Sequence, residues 1–306
     1  MGTPEFAIPS LQTLLAGEDQ VVGVVTQPDQ PAGRGMALHA PPVKELAAAD
    51  GVPVMQPATL RDPAVLAQLQ AWQPDLIIVA AYGKILPPFL LTLPPYGCIN
   101  VHASLLPKYR GAAPIQWAIL NGETETGVTI MQISERMDAG DILLQKALPI
   151  AETDTGGTLH DKLAELGAEA VREALSLLKQ GRLVGRPQND AEATYAPRIK
   201  KEDGRIDWHQ EAISIERRIR AFNPWPSAYT TLQGKLLKIL AARVQPCRAS
   251  PLPPGTVVEV TPGSLVVVTG KDALSLREVQ LEGKKRLPVE EFLKGYHLST
   301  GLVLGG

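Results

Sequence analysis

Along the first two-thirds of the chain, runs of consecutive apolar residues alternate with stretches whose apolar residues recur every three or four positions. The runs are VVGVVTQ (21–27), PDLIIVAAYG (74–83), GCINVHA (97–103) and TGVTIMQI (126–133). They are bounded by turn residues, and near-continuous apolarity of this kind suits strands covered on both faces of a parallel sheet. Helical spacing marks residues 9–15, 41–51, 62–72 and 113–122. This β-α-β rhythm predicts an α/β fold with an open, doubly wound, mostly parallel sheet. A longer amphipathic helix follows at 156–181, with Gly181 as its C-terminal stop.

The chain opens MGTPEFAIPS, a tight turn at Gly2-Thr3-Pro4 leading into a helix. A doubly wound sheet begins strand, loop, helix. Here the loop and helix are present and the strand is not. The expectation is a missing first strand, which about ten upstream residues would supply.

The texture changes after 184. Residues 185–206 are polar and lack a clear period, which reads as a linker. A helix near 211–222 follows, then short alternating segments separated by Gly/Pro turns, which predict a small β-barrel. The expected domains are residues 1–184, a linker 185–206, and residues 207–306.

Bulk properties narrow the classes. A 306-residue chain suggests two domains, and 44% apolar content is ample for buried cores. Cys98 and Cys247 lack metal-site spacing, so neither a disulfide scaffold nor a bound metal is expected. No run approaches the ~18 consecutive apolar residues of a membrane span. No basic-then-apolar leader is visible. A cytoplasmic protein without membrane association is expected. The net charge of −2 hides an asymmetry. Residues 203–306 hold 14 Lys and Arg against 10 Asp and Glu, leaving 16 against 22 in residues 1–202. A basic tail domain hints at a polyanionic partner, although scattered surface charge gives the same count.

The densest chemistry lies in residues 100–145. Asn100 and His102 sit two apart near the end of a predicted strand, so both side chains share one face. Carboxyl ends of strands are where open α/β sheets hold ligands. Asp138 follows in a Gly-containing loop. An amide, an imidazole and a carboxylate together suit acyl transfer to an amine: a proton carrier, an oxyanion donor and a charge to orient the ring. With no Ser or Cys clearly placed as nucleophile, direct attack by the amine is the simpler route. Spacing alone also fits plainer roles: a structural His, an Asn satisfying backbone groups, an Asp in a turn.

INVHASLLPKYRGAAPIQWAILNGETETGVTIMQISERMDAGDIL (99–143) resembles the signature of the folate-dependent formyltransferases. GTPEFA, TQPDQPAGRG, AAYGKILP, LHDKLAELG and RAFNPWPSAY extend the resemblance along essentially the whole chain, towards the members that act on methionyl-tRNA. The resemblance implies formyl transfer from 10-formyltetrahydrofolate, as cosubstrate, to the α-amine of methionine on initiator methionyl-tRNA. A monomer is expected. Asn100, His102 and Asp138 match the family's catalytic trio. A folate pocket is implied at Tyr82, Ile85, Leu86, Ser104, Leu105, Leu106, Pro107 and Gly140. Gly2 and Thr3 would lie beside the acceptor-end phosphate, and Phe6 beside the methionine. The long loop 27–42 would wedge against the acceptor stem through Arg34. The C-terminal barrel resembles an OB-fold, with Lys235, Lys238, Arg243, Lys284, Lys285 and Arg286 facing tRNA. Aromatics are only 5% of the chain, so backbone contact rather than base stacking is expected to dominate.

Three rivals remain at this stage. The same trio serves formyl transfer to a sugar nucleotide or a glycinamide ribonucleotide, though neither needs the Arg34 loop or a basic barrel. It also serves formyl-folate hydrolysis. A catalytically dead RNA-binding protein would not need it at all. An NAD-dependent dehydrogenase would need Gly-x-Gly-x-x-Gly after its first strand, and GTPEFA is not that.

Overall fold

A computed structural model describes residues 1–32, 37–247 and 251–305. In chain order the elements begin with α1 (Ile8–Leu15), β1 (Val24–Val25), β2 (Gln30–Ala32), β3 (Ala37–His39), α2 (Pro42–Ala49) and β4 (Val54–Met55). Next come α3 (Pro63–Trp72), β5 (Ile77–Ala80), α4 (Pro88–Leu91), β6 (Cys98–His102), β7 (Arg110–Gly111) and α5 (Pro114–Leu120). Then follow β8 (Glu125–Gln132), β9 (Ile142–Pro149), α6 (Gly156–Lys179), β10 (Tyr195–Ala196) and α7 (Ala212–Ala221). The chain ends with β11 (Ala228–Leu232), β12 (Lys235–Gln245), β13 (Val257–Thr261), β14 (Ser264–Val268), β15 (Ala273–Leu281), β16 (Leu287–Pro288) and α8 (Val289–Gly295).

The helices end where their sequences say they should. Asp62 caps α3 by accepting from the Ala64 amide at 2.9 Å, and Pro63 sits at the first helical position. After α6, the amides of Gly181 and Arg182 bond back to the carbonyls of Leu178 and Leu177, with Gly181 at φ +64°. Such a left-handed close favours glycine.

Two compact units result. The first groups Met1–Pro114, Glu125–Pro149 and His160–Ala196; the second groups Ile115–Thr124, Ile150–Leu159 and Pro197–Gly306. Residues 185–196, at the start of the expected linker, therefore lie in the first unit.

In the first unit β5, β6, β8 and β9 form one sheet in that order. β5 and β6 are parallel, but β8 runs antiparallel to β6 and β9 antiparallel to β8. This four-stranded sheet is thus mixed, and a parallel bridge from Gly2 to Ala80 continues its parallel side. The loop from β8 to β9, residues 133–141, reverses the chain with no crossover helix, and a parallel pair needs such a crossover. β1 and β4 form a separate parallel pair.

Met1–Gly2 lies where strand-loop-helix order expects a first strand. The Gly2 amide donates to Val25 O at 3.1 Å, and Ala80 N donates to Met1 O at 2.9 Å. The Met1 nitrogen donates to Ile78 O at 2.6 Å. The core beside it holds Val25, Ile77, Val79, Tyr82, Leu90 and Cys98.

The second unit packs α7 and α8 on an antiparallel sheet ordered β11-β12-β15-β14-β13, with β16 paired to β15. Ile215 and Ile219 of α7 enter a core with Leu237, Ile239, Leu274 and Leu276. The sheet is open, with β11 and β13 at its edges, and no sheet among the described residues closes into the expected barrel. No helix among them is long and apolar enough to cross a membrane.

Candidate active site

β6 ends at His102, whose side chain shares a face with that of Asn100. Asn100 is half-buried and His102 is buried. His102 Nε2 lies 2.9 Å from the Tyr109 carbonyl oxygen. A carbonyl only accepts, so Nε2 carries the proton in the neutral ring. That leaves Nδ1 unprotonated, and it faces Asp138 Oδ2 at 3.8 Å. This arrangement suits a group that takes up a proton. Once protonated at Nδ1, the ring has a carbonyl against one N–H and a carboxylate near the other.

Two residues hold left-handed backbone to make this geometry. Tyr109 has φ +62° and Asp138 φ +49°. Non-glycine residues keep such angles only where their surroundings hold them. Tyr109 is held by its amide, which donates to Thr194 Oγ1 at 2.9 Å. Asp138 Oδ2 accepts from the Gly111 amide at 2.8 Å.

The loop after β6 rests on a buried polar knot. Thr129 Oγ1 donates to Ser104 O at 2.6 Å and accepts from Leu106 N at 3.1 Å and Gln145 Nε2 at 3.0 Å. Gln145 Nε2 also donates to Leu106 O at 2.9 Å. Ser104 is fully buried and donates to Lys108 O. Leu106 packs with Met131 and Ile142, and Leu105 is half-buried. The Leu106–Pro107 peptide is cis. Gly140 is buried where an added Cβ would collide with the Gln132 carbonyl, so its identity follows from close backbone approach.

The other expected residues fall as follows. Tyr82 is 1% exposed, its hydroxyl has no partner among the described residues, and burial pushes its pKa up to about 12. Its carbonyl accepts from Thr3 Oγ1 and Gln27 Nε2. Leu86 is buried beside it, whereas Ile85 is 89% exposed. Phe6 is buried with its ring edge-on to His160. In the second unit Lys235, Arg243, Lys284, Lys285 and Arg286 are exposed and Lys238 is half-buried. Arg286 is paired with Glu278, which offsets its charge. Arg34 lies outside the described residues. A cavity of about 190 Å³ lined by Tyr96, Ile99, Leu143, Leu175 and Leu178 sits away from the trio, because Ile99 alternates with Asn100 along β6.

Sequence reasoning missed a second set of residues. Arg110 is 2% exposed and donates through Nε and Nη2 to Gln188 Oε1 at 3.0 and 2.8 Å. Its Nη2 also reaches Asp190 Oδ1, and Arg136 reaches Asp190 Oδ2, each at 2.8 Å. Arg136 first, and Arg110 second, hold the Asp190 carboxyl below its ordinary value. Arg110 lay within a quoted motif, but Gln188 and Asp190 lay in the expected linker and carried no local signal.

The formyl transferase family model matches residues 1–175, and the formyl transferase C-terminal domain model matches 198–297. The methionyl-tRNA formyltransferase of Caldanaerobacter subterraneus is 51% identical over 99% of this chain and 98% of its own length. That of Geobacter sulfurreducens is 47% identical over 100% and 95%. The chain belongs to the methionyl-tRNA formyltransferase family. Among solved structures, HypX from Aquifex aeolicus in complex with tetrahydrofolic acid shares the fold. Its TM-score is 0.59 at 24% identity, over 81% of this chain and 43% of that one.

Proposed function

We propose that this formyltransferase moves the formyl group of 10-formyltetrahydrofolate to the α-amino group of methionine on initiator methionyl-tRNA, for translation initiation. The observation that carries the mechanism is the placement of His102, with Nε2 2.9 Å from the Tyr109 carbonyl oxygen and Nδ1 3.8 Å from Asp138 Oδ2. The donor set fits an acyl donor, with an amide for the oxyanion and an imidazole nitrogen for the proton. The folate cosubstrate supplies an activated formyl carbon. The amine attacks that carbon directly, and the Asn100 amide donates to the oxygen as negative charge develops. His102 takes the ammonium proton at Nδ1 and returns it to the departing folate nitrogen. Asp138 faces the imidazolium and holds it through that interval.

We assign the folate pocket to the segment from Tyr82 to Leu86, the loop Ser104–Pro107 and Gly140, with Tyr82 and Leu86 packed beneath the pterin. Gly2, Thr3 and Phe6 are assigned to the acceptor end, and Arg34 to the acceptor stem. Residues 1–184 carry catalysis and 207–306 form an OB-like tRNA module in the cytoplasm. Lys235, Lys238, Arg243, Lys284, Lys285 and Arg286 are its phosphate contacts, and salt weakens them. The test is transfer of labelled formyl from 10-formyltetrahydrofolate to methionyl initiator tRNA. Labelled formylmethionyl-tRNA is the expected product. A folded protein that only hydrolyses the donor, or formylates only an amino sugar nucleotide, overturns the assignment.

A further inference from the structure

Asp138 adopts its left-handed backbone in a loop whose carbonyls are gripped by one side chain. Gln188 Nε2 donates both of its protons, one to Asp138 O at 2.9 Å and one to Gly140 O at 2.7 Å. Its Oε1 is taken up by the two Arg110 donors. The same stretch is anchored on either side. The Arg186 amide and carbonyl exchange bonds with Ile142 at 2.9 and 2.8 Å, and Tyr195–Ala196 pair with Arg110–Gly111. Gly111 in turn donates to the Asp138 carboxylate. Every bond on Gln188 therefore either fixes the Asp138 loop or fixes Gln188 itself.

We propose that Gln188 is a positioning residue for catalysis. Residues 185–196 act as a strap, and its Gln188 amide, oriented by buried Arg110, sets the Asp138 carboxylate against His102. The inference rests on the formyl-transfer reading above. An amide is the side chain the site requires. It presents two N–H donors to two carbonyls and one oxygen to a guanidinium, and a carboxylate of the same shape satisfies only the guanidinium. A displacement of about 1 Å at a reacting group costs on the order of 10²-fold in rate, so the grip acts on turnover.

The test compares wild type with Gln188→Ala and Gln188→Glu. Each is assayed for formyl transfer to methionyl initiator tRNA and for hydrogen exchange of residues 133–141. Transfer by the wild type establishes the underlying reading separately. Both variants are expected to lose about 10- to 100-fold in kcat, with KM for methionyl-tRNA within about threefold. Exchange in 133–141 is expected to rise while β6 and β8 stay protected. Gln188→Glu decides against a merely structural role, because it keeps the shape and gains an ion pair with Arg110. Full kcat in Gln188→Glu, or unchanged exchange in 133–141 in both variants, overturns the proposal. The exchange arm stands even if the wild type proves to transfer formyl to another amine.

Discussion

Thr129→Val removes one hydroxyl and keeps the side-chain shape. Thr129, on β8, is fully buried beneath the loop that follows β6. Its hydroxyl serves three groups: the Ser104 carbonyl, the Leu106 amide and the Gln145 amide. Gln145 keeps its bond to Leu106 O in the variant. Ser104 O and Leu106 N lose this partner in a place closed to water. A buried polar group left without its hydrogen bond costs about 1–3 kcal/mol. Two of them set the expected loss at about 2–6 kcal/mol. Native-state hydrogen exchange reads the loss where it falls, at the amides of β6 and β8, whose opening sets their exchange rate. A loss of ~2 kcal/mol speeds exchange about 30-fold, at 1.4 kcal/mol per tenfold. Thr129→Ser restores the hydroxyl and is expected to exchange within a few-fold of wild type. The same variants report on function, because the hydroxyl holds the Ser104–Pro107 loop. In Thr129→Val, kcat/KM for the formyl donor is expected to fall while KM for tRNA stays near wild type. If Thr129→Val exchanges within about threefold of wild type, the knot carries little energy and the reasoning fails.

Three other perturbations test the site. His102→Ala is expected to lower kcat at least ~10²-fold with folate affinity unchanged by equilibrium binding, and near-normal turnover would remove its role as proton carrier. Gly140→Ala drives a methyl into the Gln132 carbonyl. It is expected to cost about 1–3 kcal/mol in unfolding experiments and to lower kcat, since the clash lies two residues from Asp138. The Asp190 carboxyl is held below its ordinary value of 3.8 by Arg136 and Arg110. A carboxylate with a lowered folded pKa stabilises above the unfolded value and loses that effect as pH falls through the folded one. The difference in Tm between wild type and Asp190→Asn is therefore expected to stay constant from about pH 5 to 8 and to shrink below about pH 4. A difference that keeps its size at pH 3 would show that the ion pairs are not its source.

The local elements were written in the sequence. Helices α2, α3, α5, α6 and α7 lie within the stretches whose apolar spacing marked them, because spacing, Asp62 and Gly181 act within a turn of the helix they define. Asn100 and His102 were legible for the same reason: period 2 on a single strand puts them on one face. The direction of β8 was not legible. An apolar run reads the same whether its neighbour is parallel or antiparallel, and only the pairing with β6 decides. β9 escaped notice because its burial is mostly partial and it lacks a continuous buried run. The open C-terminal sheet likewise depends on which edges meet, and short alternating strands predict an open sheet and a barrel equally well.

Chemistry divides in the same way. The sequence by itself determined the spacing of Asn100, His102 and Asp138 and the family. Tertiary structure alone decided the His102 tautomer, through a carbonyl at Tyr109, and the approach of Asp138 to within 3.8 Å. It alone brought Gln188 to Arg110 across 78 positions and Gln145 to Leu106 across 39. Side-chain hydrogen bonds between residues so far apart leave no periodic trace, because periodicity records only which face of one element is buried. Their energy appears when the chain closes on itself and water is excluded, which is why the strap and the polar knot belong to the fold and the trio belongs to the sequence.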